Sequence, residues 1–331
     1  MKKILLTGLV FLLTCNISLA DSLHIDNPSF FYKGTLVDAH SQVGWTISDK
    51  EVSSIINNTG VDVTLLSFRC KDCEPFTRFR NIKKQTNNKV KYLIPTKLKG
   101  FHRPNADPSY ALDYIEKLKN KNNNYVGFGE IIVQHGPQNH RFLRYEGINN
   151  DMFAHRIVEA MQIAIKDDKP VILHVELNDF EQDSTMIVEQ IIYTAEQNPN
   201  VNFLLMHMAQ ADFSEAEYII NNTKNVHFIT SHADIFKGRM HKTNKAQQGW
   251  INMFDYNGML KGEWRDLMDK NPTRFVFAVD NVWGGQWRKL YSKKVNLWRQ
   301  SLAKLEKNTA TSIACGNANK YFKLGITCLG E

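Results

Sequence analysis

The sequence has 331 residues, and its 41 lysines and arginines outnumber the 34 aspartates and glutamates, for a formal net charge of +7. Hydrophobic residues make up 43% of the chain, which is too high for a disordered protein and enough for a packed core. The basic residues are scattered, apart from short clusters such as Lys83-Lys84 and Lys293-Lys294. A nucleic-acid footprint needs such residues gathered on one face, so we interpret them as solvated surface and expect no nucleic-acid partner.

Residues 1–20 have the pattern of a secretory signal peptide. Lys2 and Lys3 precede an apolar stretch, and Ser18-Leu19-Ala20 is a small-x-small cleavage site. The segment is short for a membrane span, and no later segment is apolar enough to cross a membrane. We expect residues 21–331 to be exported as one mature domain, to a bacterial periplasm, with acylation at Cys15 as the alternative.

Four cysteines lie in the predicted mature chain: Cys70, Cys73, Cys315 and Cys328. An even number of cysteines in an exported protein suggests disulfides. Three connectivities can be drawn, and the sequence spacing favours Cys70–Cys73 together with Cys315–Cys328. A redox or zinc role for the Cys-x-x-Cys pair is the alternative, but no second Cys-x-x-Cys accompanies it.

Eight apolar runs typical of buried strands follow one another, at 34–40, 61–68, 89–95, 125–132, 170–176, 201–207, 226–231 and 274–280. Helix-patterned segments lie between them, such as 151–166 and the apolar face from Trp287 to Leu305. This alternation predicts the α/β class and a single-domain (β/α)8 TIM barrel. A doubly wound open sheet is the alternative, but no glycine-rich phosphate loop follows the first strand. The largest insertion, 232–257, is expected to lie over the active-site end.

Polar side chains end four of these runs: Asp38-x-His40, His174, His207 and Asp280. The C-terminal ends of barrel strands meet at one mouth, where chemistry takes place in this architecture. Imidazole and carboxylate groups are ordinary ligands of zinc and related ions. A bound divalent metal would activate water, and Asp280 could take the proton from that water.

These motifs resemble those of the amidohydrolase superfamily, in the branch of TIM-barrel metal-dependent hydrolases that also contains non-oxidative decarboxylases. The similarity spans roughly 34–325, nearly the whole mature chain. The motifs that carry it are VDAHSQ at 37–42, the HVE and HMA strand ends with His174 and His207, VD at 279–280 and IACGNANKYFKL at 313–324.

The resemblance implies one divalent metal ion, with zinc as the first candidate, and His40, His174 and Asp280 as its ligands. It gives His207 the role of a ligand or of a catalytic, substrate-polarising residue. Glu130, at the end of the fourth run, matches the position of a metal-binding glutamate or carboxylated lysine in some branches.

One residue departs from the family pattern. The family's His-x-His motif has Gln42 at its second position here, and an amide carbonyl is a poorer zinc ligand than imidazole. Three outcomes stay open: a weaker or differently chosen metal, a metal held by His40, His174 and Asp280 alone, or a site without metal.

We therefore expect an exported metal-dependent hydrolase, in which metal-activated water attacks an ester, lactone or amide carbonyl of a small-molecule substrate, with Asp280 as general base. The alternatives are a metal-assisted non-oxidative decarboxylase and, because of Gln42, a non-catalytic ligand-binding barrel. The substrate stays unnamed because fold does not fix function. Family habit leaves a homodimer open.

Further polar residues lie close to the strand ends. Three histidines are expected in the pocket wall or on the surface rather than as ligands: His135, His140 and His232. Arg69 and Arg78 are candidates for binding a substrate carboxylate, since guanidinium favours planar anions. Glu176 has no assigned role.

Overall fold

The computed structural model describes residues 31–69, 74–96, 108–136, 138–140, 143–145, 148–149, 151–178, 184–236 and 251–330. The predicted signal peptide, Cys15 and the predicted Cys70–Cys73 disulfide lie outside these residues. Within them, no helix combines the length and the apolar character needed to span a membrane.

The strands of the described residues follow in chain order. They are β1 (Val37–Val43), β2 (Val63–Phe68), β3 (Val90–Ile94), β4 (Tyr125–Phe128), β5 (Ile131–Ile132), β6 (Gln134–His135), β7 (Gln138–His140), β8 (Leu143–Tyr145), β9 (Ile148–Asn149), β10 (Val171–His174), β11 (Phe203–Leu205), β12 (Val226–Ile229) and β13 (Phe275–Val276).

The helices alternate with the strands. They are α1 (Asp49–Asn58), α2 (Pro75–Gln85), α3 (Pro108–Lys121), α4 (His155–Lys166), α5 (Thr185–Gln197), α6 (Phe213–Asn222), α7 (Gly262–Lys270), α8 (Gly284–Leu302), α9 (Lys307–Thr311) and α10 (Asn317–Phe322). A short turn at Met206–Gln210 follows β11, and a π-helical turn at Ser312–Gly316 precedes α10.

Parallel pairing closes the strands into a barrel. One sheet has the order β1-β2-β3-β4, and the other has the order β13-β12-β11-β10-β5. β4 pairs with β3 and β5 pairs with β10, so the single run 125–132 joins the two sheets. On the other side, the amides of Ala39 and Gln42 donate to the carbonyls of Phe277 and Asn281, at 3.0 and 2.7 Å. Eight strand positions therefore form a closed ring.

Each of the eight strand positions is followed by one of the helices α1 to α8. The predicted (β/α)8 barrel and its eight apolar runs are thus confirmed. Two boundaries differ from the prediction. β1 continues past His40 to Val43, and α4 begins at His155, which leaves Phe153 before the helix and 48% exposed.

Local sequence signals explain the helix positions. Ser48 and Glu51 form a capping box at the start of α1, in which each side chain bonds the other residue's backbone amide. α8 buries a stripe at helical spacing that includes Trp287, Tyr291 and Trp298. The apolar layer between strands and helices is the larger of the two cores.

The second core fills the barrel interior and its N-terminal end, which we call the floor. Apolar side chains from the strands pack there against α10: Val37, Ala39, Val63, Leu65, Leu93, Ile172, Leu204, Ile229, Val276, Ala318, Tyr321 and Phe322. The Asn317 amide donates to the carbonyls of Pro272 and Phe275, at 2.8 and 2.7 Å. The predicted Cys315–Cys328 disulfide is confirmed, and it ties the chain after α10 to the floor.

The floor also contains a histidine and an arginine. His227 of β12 stacks on Tyr321 with ring centroids 4.1 Å apart, and burial together with nearby Arg274 lowers its pKa to about 3. Arg274 donates to the carbonyls of Val226 and Thr223, each at 2.7 Å. Backbone carbonyls and the side chains of Asn202 and Thr223 satisfy these polar groups, as is general for buried polar groups.

Two insertions lie near the opposite end of the barrel. The small antiparallel pairs β6–β9 and β7–β8 follow β5, and the sequence pattern did not predict them. Of the segment 232–257, the part 237–250 lies outside the described residues, including Trp250. Phe254 is buried against Trp298, with ring centroids 5.4 Å apart, so this aromatic residue packs in the core.

Candidate metal centre at the C-terminal mouth

A β-bulge in β1 decides which side chains of the first strand reach the mouth, the end of the barrel at the C-terminal ends of its strands. The pairing of β1 with β2 shifts between Asp38 and Ser41. The Asp38 carboxylate accepts hydrogen bonds from Ser41 and from Tyr291 of α8, at 2.6 and 3.0 Å. Asp38, predicted beside His40 at the mouth, therefore faces the helical layer, and burial raises its pKa to about 6. Bulges commonly re-aim side chains in this way.

Left-handed backbone marks three of the site residues. The φ angles of His207, His232 and Asp280 are 56°, 60° and 49°. After β11, the whole stretch from His207 to Gln210 is left-handed. This conformation costs a non-glycine residue roughly 1–2 kcal/mol, and such strain concentrates at functional sites. The ends of the sixth, seventh and eighth barrel strands therefore carry backbone strain.

Glu130, His174 and His207 form a buried group that could hold a metal ion, with one ligand atom from each lying within 4.8 Å of the others. His174 Nδ1 is hydrogen-bonded to Glu130 Oε2. His207 Nε2 lies 4.0 Å from the same oxygen and 3.7 Å from Asp280 Oδ2. The predicted residues of the fourth, fifth, sixth and eighth strands thus meet in one place.

The second nitrogen of each imidazole in this group is also held. His174 Nε2 lies 2.7 Å from Glu176 Oε1, and His207 Nδ1 lies 2.9 Å from Ser231 Oγ. Metal-binding histidines usually donate their other N–H to such a group, which fixes the tautomer and the ring orientation. Glu176 therefore acquires a role that the sequence left open: it lies two residues after His174, just past the end of β10, and its carboxylate contacts the His174 ring.

Gln42 takes part in the cluster as a hydrogen-bond donor. Its Nε2 lies 2.9 Å from both Glu130 Oε1 and Asp280 Oδ1. Arg69 Nε donates to Gln42 Oε1 at 2.8 Å. Because guanidinium has no acceptor, this contact fixes the amide orientation, with oxygen toward Arg69 and nitrogen toward the carboxylates.

The two arginines predicted as substrate-carboxylate ligands have different surroundings. Arg78 donates to the Asp49 carboxylate at 2.6 Å and to the carbonyls of Gly44 and Ile47 at 3.1 and 2.7 Å. Those bonds tie α2 to the loop after β1, so we assign Arg78 a structural role. Arg69 contacts the site through Gln42.

The buried ring of His40 shows whether a divalent cation fits this site. Its Nδ1 lies 3.0 Å from Asp280 Oδ1, while its Nε2 is buried and has no hydrogen-bond partner in the described part of the chain. A buried polar atom without a partner costs about 1–3 kcal/mol. The buried imidazole and carboxylate donors, together with this unsatisfied nitrogen, fit a divalent ion such as zinc.

His232 orients Asp280. Lys294 Nζ lies 2.9 Å from His232 Nδ1 and 3.3 Å from Asp234 Oδ2. An ammonium group only donates, so His232 Nδ1 accepts and its Nε2 carries the proton, which points to Asp280 Oδ2 at 3.2 Å. His232, expected in the pocket wall, is therefore a hydrogen-bond donor to the predicted general base.

Lys294 corrects the sequence interpretation. It belongs to a lysine pair that was assigned to the solvated surface, yet it is only 3% exposed. A signal was present, because Lys294 falls on the apolar stripe of α8, three residues after Tyr291 and four before Trp298. The partners His232 and Asp234 are distant in sequence, so only the fold reveals the contact.

The buried charges shift the site pKa values in different directions. Burial and the neighbouring His232 and His174 hold the pKa of His207 well below its usual value. For His174, burial lowers the pKa, but the Glu130 and Glu176 carboxylates outweigh it and raise the pKa overall. Perturbed groups of this kind cluster at functional sites.

For Asp280, burial favours the protonated form, but hydrogen bonds from His232 and His40 outweigh it. The pKa of Asp280 therefore lies well below its usual value. His135, expected in the pocket wall, stacks on His174 with ring centroids 4.8 Å apart. Nothing is described for the side chain of His140.

No protein-family model matches the sequence, and a search of curated proteins gives no match. Solved structures share the fold. The phosphotriesterase homology protein from Escherichia coli, complexed with phosphate in its active site, has a TM-score of 0.57 at 10% identity and covers 88% of this chain and 99% of its own.

Two further structures have TM-scores of 0.53. A probable 2-pyrone-4,6-dicarboxylic acid hydrolase from Acinetobacter baumannii is 9% identical, covering 88% of this chain and 100% of its own. Dihydroorotase from Campylobacter jejuni is 10% identical and covers 89% and 84%. This chain therefore shares the fold of these three proteins, and at these identities the similarity establishes the fold alone.

Proposed function

We propose that this protein is a metal-dependent hydrolase, in which activated water attacks an ester, lactone or amide carbonyl of a small molecule. The metal centre proposed is built from the predicted residues His40, Glu130, His174, His207 and Asp280. The observation that carries the proposal is the buried group of Glu130, His174 and His207, in which Glu176 and Ser231 hold the second imidazole nitrogens.

A divalent ion bound there would lower the pKa of a bound water and polarise the substrate carbonyl. Asp280 Oδ1 accepts hydrogen bonds from Gln42 and His40, so Oδ2 is the oxygen turned toward His207. With a pKa well below its usual value, this carboxylate is ionised at neutral pH. It acts as general base for the attacking water and then returns the proton to the leaving group.

The neighbours of Asp280 prepare it for this role. The His232 N–H donates to Oδ2 and fixes the carboxylate plane before substrate binds. A low pKa keeps His207 neutral, and with its proton on Nδ1 toward Ser231 the Nε2 lone pair is directed into the cluster. His207 then binds the ion or polarises the substrate.

We also propose that the chain is exported. The pattern of residues 1–20 predicts a signal peptide, and the Cys315–Cys328 disulfide supports an oxidising compartment such as the periplasm.

Elemental analysis tests the metal proposal. Protein purified without chelator is analysed before and after loading with Zn²⁺ or Mn²⁺, and turnover is screened on activated esters, lactones and amides. We expect bound metal and turnover in the wild type, and loss of both in His174→Ala. His155→Ala is the matched control, because His155 is an exposed histidine on α4.

A protein that binds no metal under any loading would contradict the proposal and favour the ligand-binding barrel. Release of CO₂ from a carboxylated substrate, without net addition of water, would instead favour the decarboxylase.

A further inference from the structure

Four groups of buried or half-buried side chains at the mouth could each hold a metal ion, and they share members. They are Glu130-His174-His207, His135-His174-Glu176, His207-His232-Asp280 and His40-Glu130-Asp280. Hydrogen bonds help to distinguish between them. In the first group a cation would replace the proton between His174 Nδ1 and Glu130 Oε2, and the Nε2 lone pair of His207 is directed into the cluster.

In two of the other groups, a residue outside the group already engages one of the members. His232 Nε2 carries its proton because Lys294 occupies Nδ1, so His232 offers no lone pair to the group that it forms with His207 and Asp280. Glu176 accepts from the Gly136 amide at 2.5 Å as well as from His174 Nε2, which makes it an orienting group.

The group of His40, Glu130 and Asp280 contains the Gln42 amide. The two hydrogens of Gln42 Nε2 are directed at Glu130 Oε1 and Asp280 Oδ1, each at 2.9 Å, where a cation would otherwise join these carboxylates. Arg69 holds the amide oxygen on the far side, so the amide cannot turn to offer oxygen as a ligand without losing that bond.

We infer that the centre binds a single metal ion, at Glu130, His174 and His207, and that the Gln42 amide, fixed by Arg69, fills a second metal position between Glu130 and Asp280. Arg69 is thus a positioning residue that acts through Gln42. The inference rests on the proposed metal-dependent function, and it leaves Asp280 as a base rather than a ligand.

The blocked position keeps one metal-binding feature. His40 Nε2 remains buried and unpaired in the described residues, and His40, Glu130 and Asp280 each have a possible ligand atom within 4.8 Å of the others. Replacing the amide donor by an imidazole should therefore open the position, because His40, a histidine at position 42 and the two carboxylates would supply four ordinary ligands.

The test is the metal stoichiometry, measured by elemental analysis and by calorimetric titration with Zn²⁺ of the whole predicted mature chain, residues 21–331. We expect one equivalent in the wild type and two in Gln42→His. Adding His40→Ala to Gln42→His should return the value to one, because the second ion would lose an imidazole ligand.

Arg69→Met gives an independent measurement if Gln42→His does not fold. It lets the amide rotate and removes a positive charge, so we expect a second, weaker binding step for Zn²⁺. Arg80→Met is the matched control and should keep one step, because Arg80 lies away from the cluster and contacts Thr77.

The outcomes separate the inference from the function. Two equivalents in the wild type, or one in both Gln42→His and Arg69→Met, would overturn the inference and leave a metal-dependent function standing. No bound metal in either the wild type or Gln42→His would overturn both.

Discussion

The two ends of this barrel bury the same residue type with opposite chemical results. At the floor, His227 lies against Tyr321 and near Arg274, and its pKa falls to about 3. At the mouth, His174 lies between the carboxylates of Glu130 and Glu176, and its pKa rises. Burial alone disfavours the charged imidazole at both places. The neighbouring charges, rather than depth in the fold, therefore give the pKa values of His174 and His227 opposite shifts.

The largest expected effect is a loss of turnover when a proposed metal ligand at the mouth is removed and the floor is left unchanged. His174→Ala should lower turnover of the best ester, lactone or amide substrate by at least about 10³-fold, because the proposed metal loses a ligand. His227→Gln should change turnover by no more than about twofold. Steady-state kinetics with urea unfolding of both variants checks this, and comparable losses of turnover would contradict the distinction between the two ends.

Removing the Cys315–Cys328 disulfide changes the floor and leaves the residues of the mouth in place. Replacing both Cys315 and Cys328 by serine opens a short loop, and the free energy of unfolding should fall by about 3 kcal/mol. Urea denaturation measures the loss, while metal content measured in parallel should stay unchanged. A variant that loses its metal but not its stability would show that the two ends are coupled.

A smaller effect concerns the stability of the protein at acidic pH. The folded-state pKa of His227 is about 3 and its unfolded value is about 6.5, so the native state binds fewer protons between these values. Its contribution to stability is complete above pH 6.5 and is lost as the pH falls toward 3. Between pH 6 and pH 4 the wild type should therefore lose up to about 2 kcal/mol through this group.

His227→Gln should flatten the stability profile over that interval, as measured by urea unfolding at several pH values. His155→Gln, which changes an exposed histidine, should leave the profile as in the wild type. An unchanged slope in His227→Gln would show that His227 is not the group that titrates.

The smallest expected effect is a change in stability that comes from the strained, left-handed backbone at the mouth. Ala209 is left-handed, with φ at 54°, so Ala209→Gly should stabilise the protein by about 1 kcal/mol. Ala160→Gly, within right-handed α4, should destabilise it by about 1 kcal/mol. Thermal unfolding gives both values, and a loss in Ala209→Gly would argue against stored strain.

Much of the barrel could be predicted because parallel strands buried on both faces appear as continuous apolar runs. The same runs placed Glu130, His174, His207 and Asp280 at strand ends, and the structure brings them together. Alternation along a strand places His40 on the same side as Asp38, so it could not predict that only His40 reaches the mouth. The bulge between Asp38 and Ser41 changes the side-chain period there.

The other parts of the site could not be predicted because they depend on contacts between residues that are distant in sequence. Lys294 and Arg69 each contact a partner that is distant in sequence, and no local pattern indicates that partner. The hydrogen bonds of Gln42 changed its interpretation most. The amide oxygen of Gln42 is a weak metal ligand, whereas in the fold its Nε2 donates to two carboxylates at once.

Two hydrogen bonds between Thr35 and Leu329 hold the start and the end of the barrel's chain side by side. The Thr35 amide donates to the Leu329 carbonyl at 2.9 Å, and the Leu329 amide donates to Thr35 Oγ1 at 3.0 Å. A short linker between these neighbours, with a new opening at the exposed Pro199-Asn200 turn, would give a circular permutant whose cut and join both lie away from the mouth. The order in which the βα units are translated would change, while their order around the ring, which positions the centre, would not.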